Sequence, residues 1–475
     1  MKKNKVLLLA VLPFALAACD SGSSGSVEPM SADSSNSSSS GLEPSDGSSS
    51  SIEWNLPVDP SQFWEGAGSE EAPYEIKSEE NLMSLINEVN NSALNFKGVA
   101  FKLTGDVVLS GKWKPIGYTK GQSNRAFSGT FDGGNFKISG LTVDETTNPA
   151  GLFGIIQGAT IKNLKLEGTV KGGSYASLLV GKAESSVIQN VEISGTVEGG
   201  DFTGGVAGSL SKTTLENVTM TGTVTGKSSV GGIAGTAITS ALKNVVNNAS
   251  VTGSATVGGI VSNLSMDASL EKCINKGAVT GTQDVAGVAA KASQTSIAMS
   301  GNEGAVKASD QTASSVGGVV AVASNSALIN QVYNIATIEV GEILGVGGIV
   351  GKLSTNSMLK NAFNQGNVVG GAGTQVGGVV GTAEECTISG VYTLGTVPKI
   401  ATSSAVAGQS KSSAELSGVY YNVANQVTAS DPGTPMEATA MASADFVTTL
   451  NALENVWTRA DGVYNGFPFF TWQVQ

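Results

Sequence analysis

"GGIAGTAITSALKNVVNNASVTGSATV", residues 231–257, runs directly into "GGIV", and one interval upstream stands "GGVAGSLSKTTLENVTMTGTVTGKSSV", residues 204–230. The chain returns to nearly the same sentence every 27 residues. Aligning the second glycine of each "GG", or its equivalent, gives Gly151, Leu178, Gly205, Gly232, Gly259, Gly287, Gly318, Gly348, Gly378 and Ala405, in steps of 27 to 31 residues. A period this regular marks stacked supersecondary units. Each unit holds three short segments, such as "GGIAG", "ALKNVV" and "ASVTG", too short for helices, rich in Val, Ile or Thr, and separated by Gly, Asn or Ser. The predicted fold is all-β: a right-handed parallel β-helix of about ten turns, in which each strand pairs with its counterparts one turn away, about 4.8 Å above and below.

Columns of like residues support the stacking. Leu or Ile recurs at Ile161, Ile188, Leu215, Leu242, Leu270, Leu328, Leu359 and Ile388, an expected inward stripe. Two residues on, Asn163, Asn190, Asn217, Asn244, Asn330 and Asn361 form an expected amide ladder at a corner, broken by Lys272 and Gly390. A further column reads Gly168, Gly195, Gly222, Gly277, Gly304, Gly366 and Gly395. The valines that follow it (Val170, Val197, Val224, Val251, Val279, Val306, Val368, Val397) should point inward, leaving Thr169, Thr196, Thr223 and Ser250 outside. In "GGIAG" both central positions are apolar, and alternation does not fix its inner face.

Composition narrows the function. The 475 residues include 62 Gly, 12 Pro and no His, with 6% aromatic and 14% charged residues. This is too apolar for wholesale disorder, and it lacks the commonest general base and a frequent metal ligand. No cofactor and no metal site is implied.

The start looks like an address label. Lys2, Lys3 and Lys5 precede the apolar run "VLLLAVLPFALAA", which is too short to span a bilayer, and "LAAC" ends at Cys19. This resembles a bacterial lipoprotein signal over residues 1–18, with lipidation at Cys19 and palmitate among the acyl chains; an ordinary secretory signal is the plainer alternative. Asp20 resembles an inner-membrane retention signal used by some bacteria, which leaves the choice of membrane open. Residues 19–71 are Ser-rich and acidic, and read as a disordered tether. Eleven carboxylates and no Lys or Arg lie between Val6 and Ile76, so the remainder carries 28 acidic against 24 basic residues. No basic face invites nucleic acid.

The ends should be caps. Residues 72–97 hold "SEENLMSLINEVNN", with Leu82, Leu85, Ile86 and Val89 at helical spacing. The β-helix is assigned to residues 98–430. Residues 431–475 hold "SADFVTTLNALENVW" and "NGFPFFTW", a helix and a strand whose Trp457, Phe467, Phe469, Phe470 and Trp472 should plug the open end rather than bind sugar. Cys273 and Cys386, four turns apart, should be separate buried thiols.

Together, "GGIAGTAITSALKNVVNNASVTG", the lead-in "YEIKSEENLMSLINEV", "FKLTGDVVLSGKWKPIGY", "FSGTFDGGNFKISGLTV" and "GLFG", and the ending "NGFPFFTWQ" resemble the GLUG-motif repeat family of bacterial extracytoplasmic proteins over about residues 72–475. That resemblance implies a β-helical, adhesin-like surface lipoprotein. Some relatives flank a zinc peptidase of the immunoglobulin-cleaving type, but that activity needs an HExxH site and this chain has no His.

The expected role is therefore a non-enzymatic binding or structural module, anchored through Cys19 at an outer membrane or cell surface, that presents its surface to a polysaccharide, host surface or partner protein. The alternative is a polysaccharide lyase or hydrolase, which needs clustered carboxylates. Ser174 and Ser228 stand one turn from Asp201, and Gln189 and Lys243 one turn from Glu216, so no carboxylate column is expected. Asp132 in "FDGG" suits a turn. An ice-binding face at Thr223, Thr225, Ser250 and Thr252 would be interrupted by Lys171, Glu198, Lys307 and Glu339.

Overall fold

The computed structural model describes residues 62–474, apart from the short stretches 121–122, 145–148, 310–314, 342–343, 371–374, 412 and 429–430. The expected signal sequence (residues 1–18), Cys19 and residues 19–61 of the expected tether lie outside the described residues.

One coil shows why the repeat folds as it does. Thr203–Gly204 begins it, and Ala207–Ser211 follows after Gly205 and Val206. Lys212 then turns the chain with φ 49°, and Thr214–Thr225 completes the coil before Val230–Gly231 starts the next. Each segment pairs in parallel with its neighbours, giving sheets of 22, 10 and 8 strands. Thr214–Thr225 lies between Val187–Glu198 and Ala241–Thr252, with Val224 opposite both Val197 and Val251. The fold is the expected parallel β-helix. Its count differs: parallel pairing begins with Tyr74–Ile76 against Phe101–Leu103, ahead of the expected start at 98, and continues through Ala414–Asn422 to Thr434–Met436, past the expected end at 430, about twelve turns rather than ten.

The valine column is buried throughout, from Val170 to Val397, and Ile233 and Ala234 of "GGIAG" are both fully enclosed. Two adjacent residues turn inward there because the chain rounds a corner between two sheets, which breaks strict alternation. The Leu/Ile stripe needs one correction: Ile329, not Leu328, pairs with Leu359 and is buried, while Leu328 pairs with Met358 and is only half-buried. At the next corner Asn163, Asn190, Asn217, Asn244, Lys272, Met299, Gln331 and Asn361 all adopt φ between 47° and 55°. Gln331 thus takes the place expected for Asn330, although Asn361 Nδ2 still donates to Asn330 Oδ1 at 3.0 Å. The glycine column is required by close approach. A Cβ on Gly195 would lie 1.9 Å from the Gly168 carbonyl oxygen, at φ 147°.

A second ladder lies inside. Asn247, Asn275, Asn302, Asn334 and Asn364 are completely buried, and each of the first four donates from Nδ2 to the next Oδ1 at 2.8–2.9 Å. The second N–H of each amide reaches the carbonyl two residues on. Buried amides are tolerated only when satisfied in this way.

Helix α1, Glu79–Asn90, buries Leu82, Leu85, Ile86 and Val89 as its spacing predicts. Residues 62–71, assigned from the sequence to the tether, instead contribute to the closure of this end. Trp64 is buried, its ring edge-on to Phe101 at 5.1 Å and to Phe96 at 6.0 Å.

The far end also differs from expectation in where its aromatic residues sit. Helices α2 (Ala438–Met441) and α3 (Ala444–Asn451) and the strand pair Trp457–Thr458 with Phe469–Phe470 are present. They cover the flank of the β-helix, where Tyr333, Phe363 and Tyr392 of three successive coils stack at 5.3 and 5.5 Å. Phe446, Leu450, Trp457, Phe469 and Phe470 bury this stack. Its apolar stripe leaves the long sheet outward, so a separate layer must shield it from water. The phenol of Tyr333 donates to Glu303 Oε1 at 2.7 Å, and burial pushes the Tyr333 and Tyr392 phenols far above their ordinary value. Inside the last coil, Tyr421 is enclosed with Val427 packed nearby, so the interior ends on the coil's own residues.

Cys273 and Cys386 are free and buried, and loss of solvent raises their thiols to about 12 and about 11.

Candidate functional site

Charged residues on the outer face pair between neighbouring coils because successive rungs bring them into register. Lys165 stands 3.8 Å from Glu192, Lys171 3.2 Å from Glu198, Lys243 3.6 Å from Glu271 and Lys307 2.8 Å from Glu339. A groove of about 350 Å³ runs over Leu166 and Ile193, edged by Lys137, Lys165, Glu192, Ser194, Thr219 and Thr221. Its carboxylate Glu192 faces a lysine, and Glu167 nearby pairs with Lys137. Paired acid and base on adjacent rungs neutralise each other, which gives a polar surface rather than a pair of carboxylates poised for proton transfer.

The residues weighed from the sequence fall as follows. Ser228 Oγ donates to Asp201 Oδ1 at 2.5 Å across one rung, and Gln189, Glu216 and Lys243 share one column. Asp132 serves a turn, accepting from the Gly134 N–H at 2.9 Å, and also anchors the outer ladder by accepting from Asn163 Nδ2 at 3.0 Å. Thr223 Oγ1 lies 3.3 Å from Thr196 Oγ1 on an exposed face that the Lys171–Glu198 and Lys307–Glu339 pairs interrupt. Among the described residues no group of three or more His, Cys, Asp or Glu is placed to hold a metal ion. No helix among them is long and apolar enough to cross a membrane.

Sequence reasoning missed the third corner. Tyr175 and Phe202 occupy the same position on successive coils, with φ 60° and 56°, and their rings stack at 5.0 Å with only 8° between planes. Lys182 Nζ lies 4.0 Å from the centre of the Tyr175 ring, a cation–π contact. Both aromatic residues are half-buried. The loops that carry them rest directly on the next strands: a Cβ on Gly208 would lie 2.6 Å from Tyr175 Cα, and one on Gly235 2.6 Å from the Phe202 carbonyl carbon. The available signal was the shared phase of two aromatics 27 residues apart, just before "GG" or its equivalent.

Known proteins give a limited match. No family model matches the chain, and no curated protein matches it. Two solved structures are similar. One is the crystal structure of a Bacteroides ovatus protein described provisionally as an immunoglobulin A1 protease; it is 17% identical with a TM-score of 0.41, covering 86% of this chain and 96% of that one. The other is an IgA1 protease, 15% identical with a TM-score of 0.33, covering 73% of this chain but only 21% of that one. These descriptions stand against the sequence-derived expectation that the chain is not an enzyme, and that expectation is withdrawn.

Proposed function

We propose that the protein is a bacterial surface lipoprotein of the GLUG-motif kind, anchored through a lipidated Cys19 at an outer membrane or cell surface, whose β-helix binds a polysaccharide, host surface or partner protein. The observation that carries this reading is the Tyr175–Phe202 stack, half-buried and without a covering layer of its own, with Lys182 beside it. The same chain buries its other outward stack, at Tyr333, Phe363 and Tyr392, under a layer of its own. A flat aromatic surface left open beside polar rungs suits recognition of a partner, and repeated rungs allow many weak contacts to act together.

A glycan array and whole-cell pull-down with the full chain test the binding; absence of retention on both refutes it. Metabolic labelling with palmitate, compared with Cys19→Ala, tests the anchor: label and membrane association should both be lost in the variant. Incubation with immunoglobulin A1 and with polysaccharides, read for cleavage products, measures catalysis in the same preparation.

A further inference from the structure

The aromatic stack at the third corner ends one rung early. Ser229 follows Phe202 at the same position of the next coil, and its φ of 53° matches the 60° of Tyr175 and 56° of Phe202. Backbone hydrogen bonds hold the three in register, with the Tyr175 N–H donating to Asp201 and the Phe202 N–H to Ser228. Equal backbone conformation directs the three Cα–Cβ bonds alike. Two rungs carry rings and the third carries a hydroxymethyl group. Successive rungs are about 4.8 Å apart, roughly the thickness of one more stacked ring. The face of Phe202 turned toward Ser229 therefore lacks the partner that Phe202 itself provides for Tyr175.

We propose that this vacant rung is a binding notch for one pyranose ring of a polysaccharide, which lies on Phe202 in the place an aromatic side chain at position 229 would fill. The proposal rests on the binding reading above and gives it a site and a ligand class. Phe202 is the floor and Ser229 the back wall. Asn263, one coil further, donates from Nδ2 to Ser229 Oγ at 2.9 Å and so leans over the rung from the far side. Asp201 and Ser228, bonded to each other at 2.5 Å, stand beside the floor and wall.

The chemistry favours sugar over protein. A pyranose offers an apolar C–H face, which fits an aromatic ring, and a rim of hydroxyls that both donate and accept. The loops on either side, "GGDF" at 199–202 and "GKSS" at 226–229, carry no apolar side chain except Phe202. A protein partner needs an apolar centre wide enough to exclude water, and this corner offers the two stacked rings of Tyr175 and Phe202, with one free face. Hydroxyl, amide and carboxylate groups around the free face of Phe202 match a hydroxyl-rich ligand. The loop backbone is held against Gly208 and Gly235, so the floor is in place before the ligand arrives.

Native gels cast with dextran, laminarin, xylan, mannan or polygalacturonate, run with the full chain, test the proposal. The wild type should be retarded in at least one gel. Phe202→Ala should weaken that retardation at least tenfold by removing the floor. Ser229→Phe should weaken it equally by filling the rung, while its ring extends the stack and preserves the melting profile. Thr223→Ala, on another face, should behave as wild type. Unchanged retardation in Ser229→Phe overturns the notch and leaves the binding reading intact, even should Phe202→Ala fail to fold. A wild type that ignores all five gels yet captures cells or a protein also overturns the notch alone. A wild type that binds nothing overturns both.

Discussion

Replacement of Asn302 by Ala should open the β-helix locally, and the cost follows from its four hydrogen bonds. Asn302 Nδ2 donates to Asn334 Oδ1 at 2.8 Å and to the Gly304 carbonyl at 2.9 Å; its Oδ1 accepts from Asn275 Nδ2 at 2.8 Å and from the Gly304 N–H at 3.3 Å. The residue is completely enclosed. Truncation strands one N–H of Asn275 and both backbone groups of Gly304, whereas Asn334 Oδ1 keeps the Ala336 N–H. A stranded buried polar group costs about 1–3 kcal/mol. Three such groups, with partial relief from a water entering the space, give roughly 3–5 kcal/mol. Solenoids unfold by neighbouring units rather than as one, so a single melting temperature is a poor measure. Native-state hydrogen exchange resolves the effect: about 1.4 kcal/mol per decade makes the expected loss of protection roughly 10²- to 10³-fold or more in residues 269–340. Residues 150–230 should keep their protection. A loss below tenfold, or one spread evenly over the whole solenoid, would refute the argument that this amide chain is a local structural necessity.

Three further outcomes are expected. The outer ladder should matter far less: Asn190→Gly should cost under about 1 kcal/mol, since its bonds are exposed and Gly accepts φ 54° freely, while Asn190→Val should cost more because a β-branched residue resists that φ; chemical denaturation of the pair measures the difference. Stability should hold below about pH 9 and fall as pH rises toward 12. The folded state keeps Cys273, Cys386, Tyr333 and Tyr392 protonated where the unfolded chain ionises, so alkali favours unfolding; a pH series of denaturation curves that rose across this window would contradict it. Mass-spectrometric mapping after alkylation at pH 8 should find Cys273 unmodified until denaturant is added, whereas prompt labelling would show that its burial is wrong.

The β-helix was legible because its evidence is periodic. Val170, Val197 and Val224 recur at fixed spacing, and strand stacking turns that spacing directly into neighbours. Legibility failed where the spacing drifted. Counting through coils of unequal length placed Leu328 and Asn330 one residue away from Ile329 and Gln331, and a one-residue slip exchanges inside for outside. The inner ladder escaped because Asn247, Asn275, Asn302, Asn334 and Asn364 are polar and so were not sought in a core, although each stands two residues before an Ala or Gly. The covered flank escaped for another reason. Tyr333, Phe363 and Tyr392 are unremarkable singly, and only their shared outward phase over three coils calls for a cover. The Tyr175–Phe202 corner, with two rungs, gave a fainter form of the same signal.

The layer over Tyr333, Phe363 and Tyr392 is drawn from residues 441–470, which are synthesised after the coils that they cover. Coils can wind as they leave the ribosome, since each needs only its predecessor as a template. The aromatic stripe, however, stands bare until residues 441–470 have emerged. For that interval a nascent molecule offers its neighbours a sticky strip that the covered one conceals, and a product arrested before residue 441 would keep it permanently. Premature stop codons just ahead of residue 441 should therefore yield clumped protein rather than merely shortened protein.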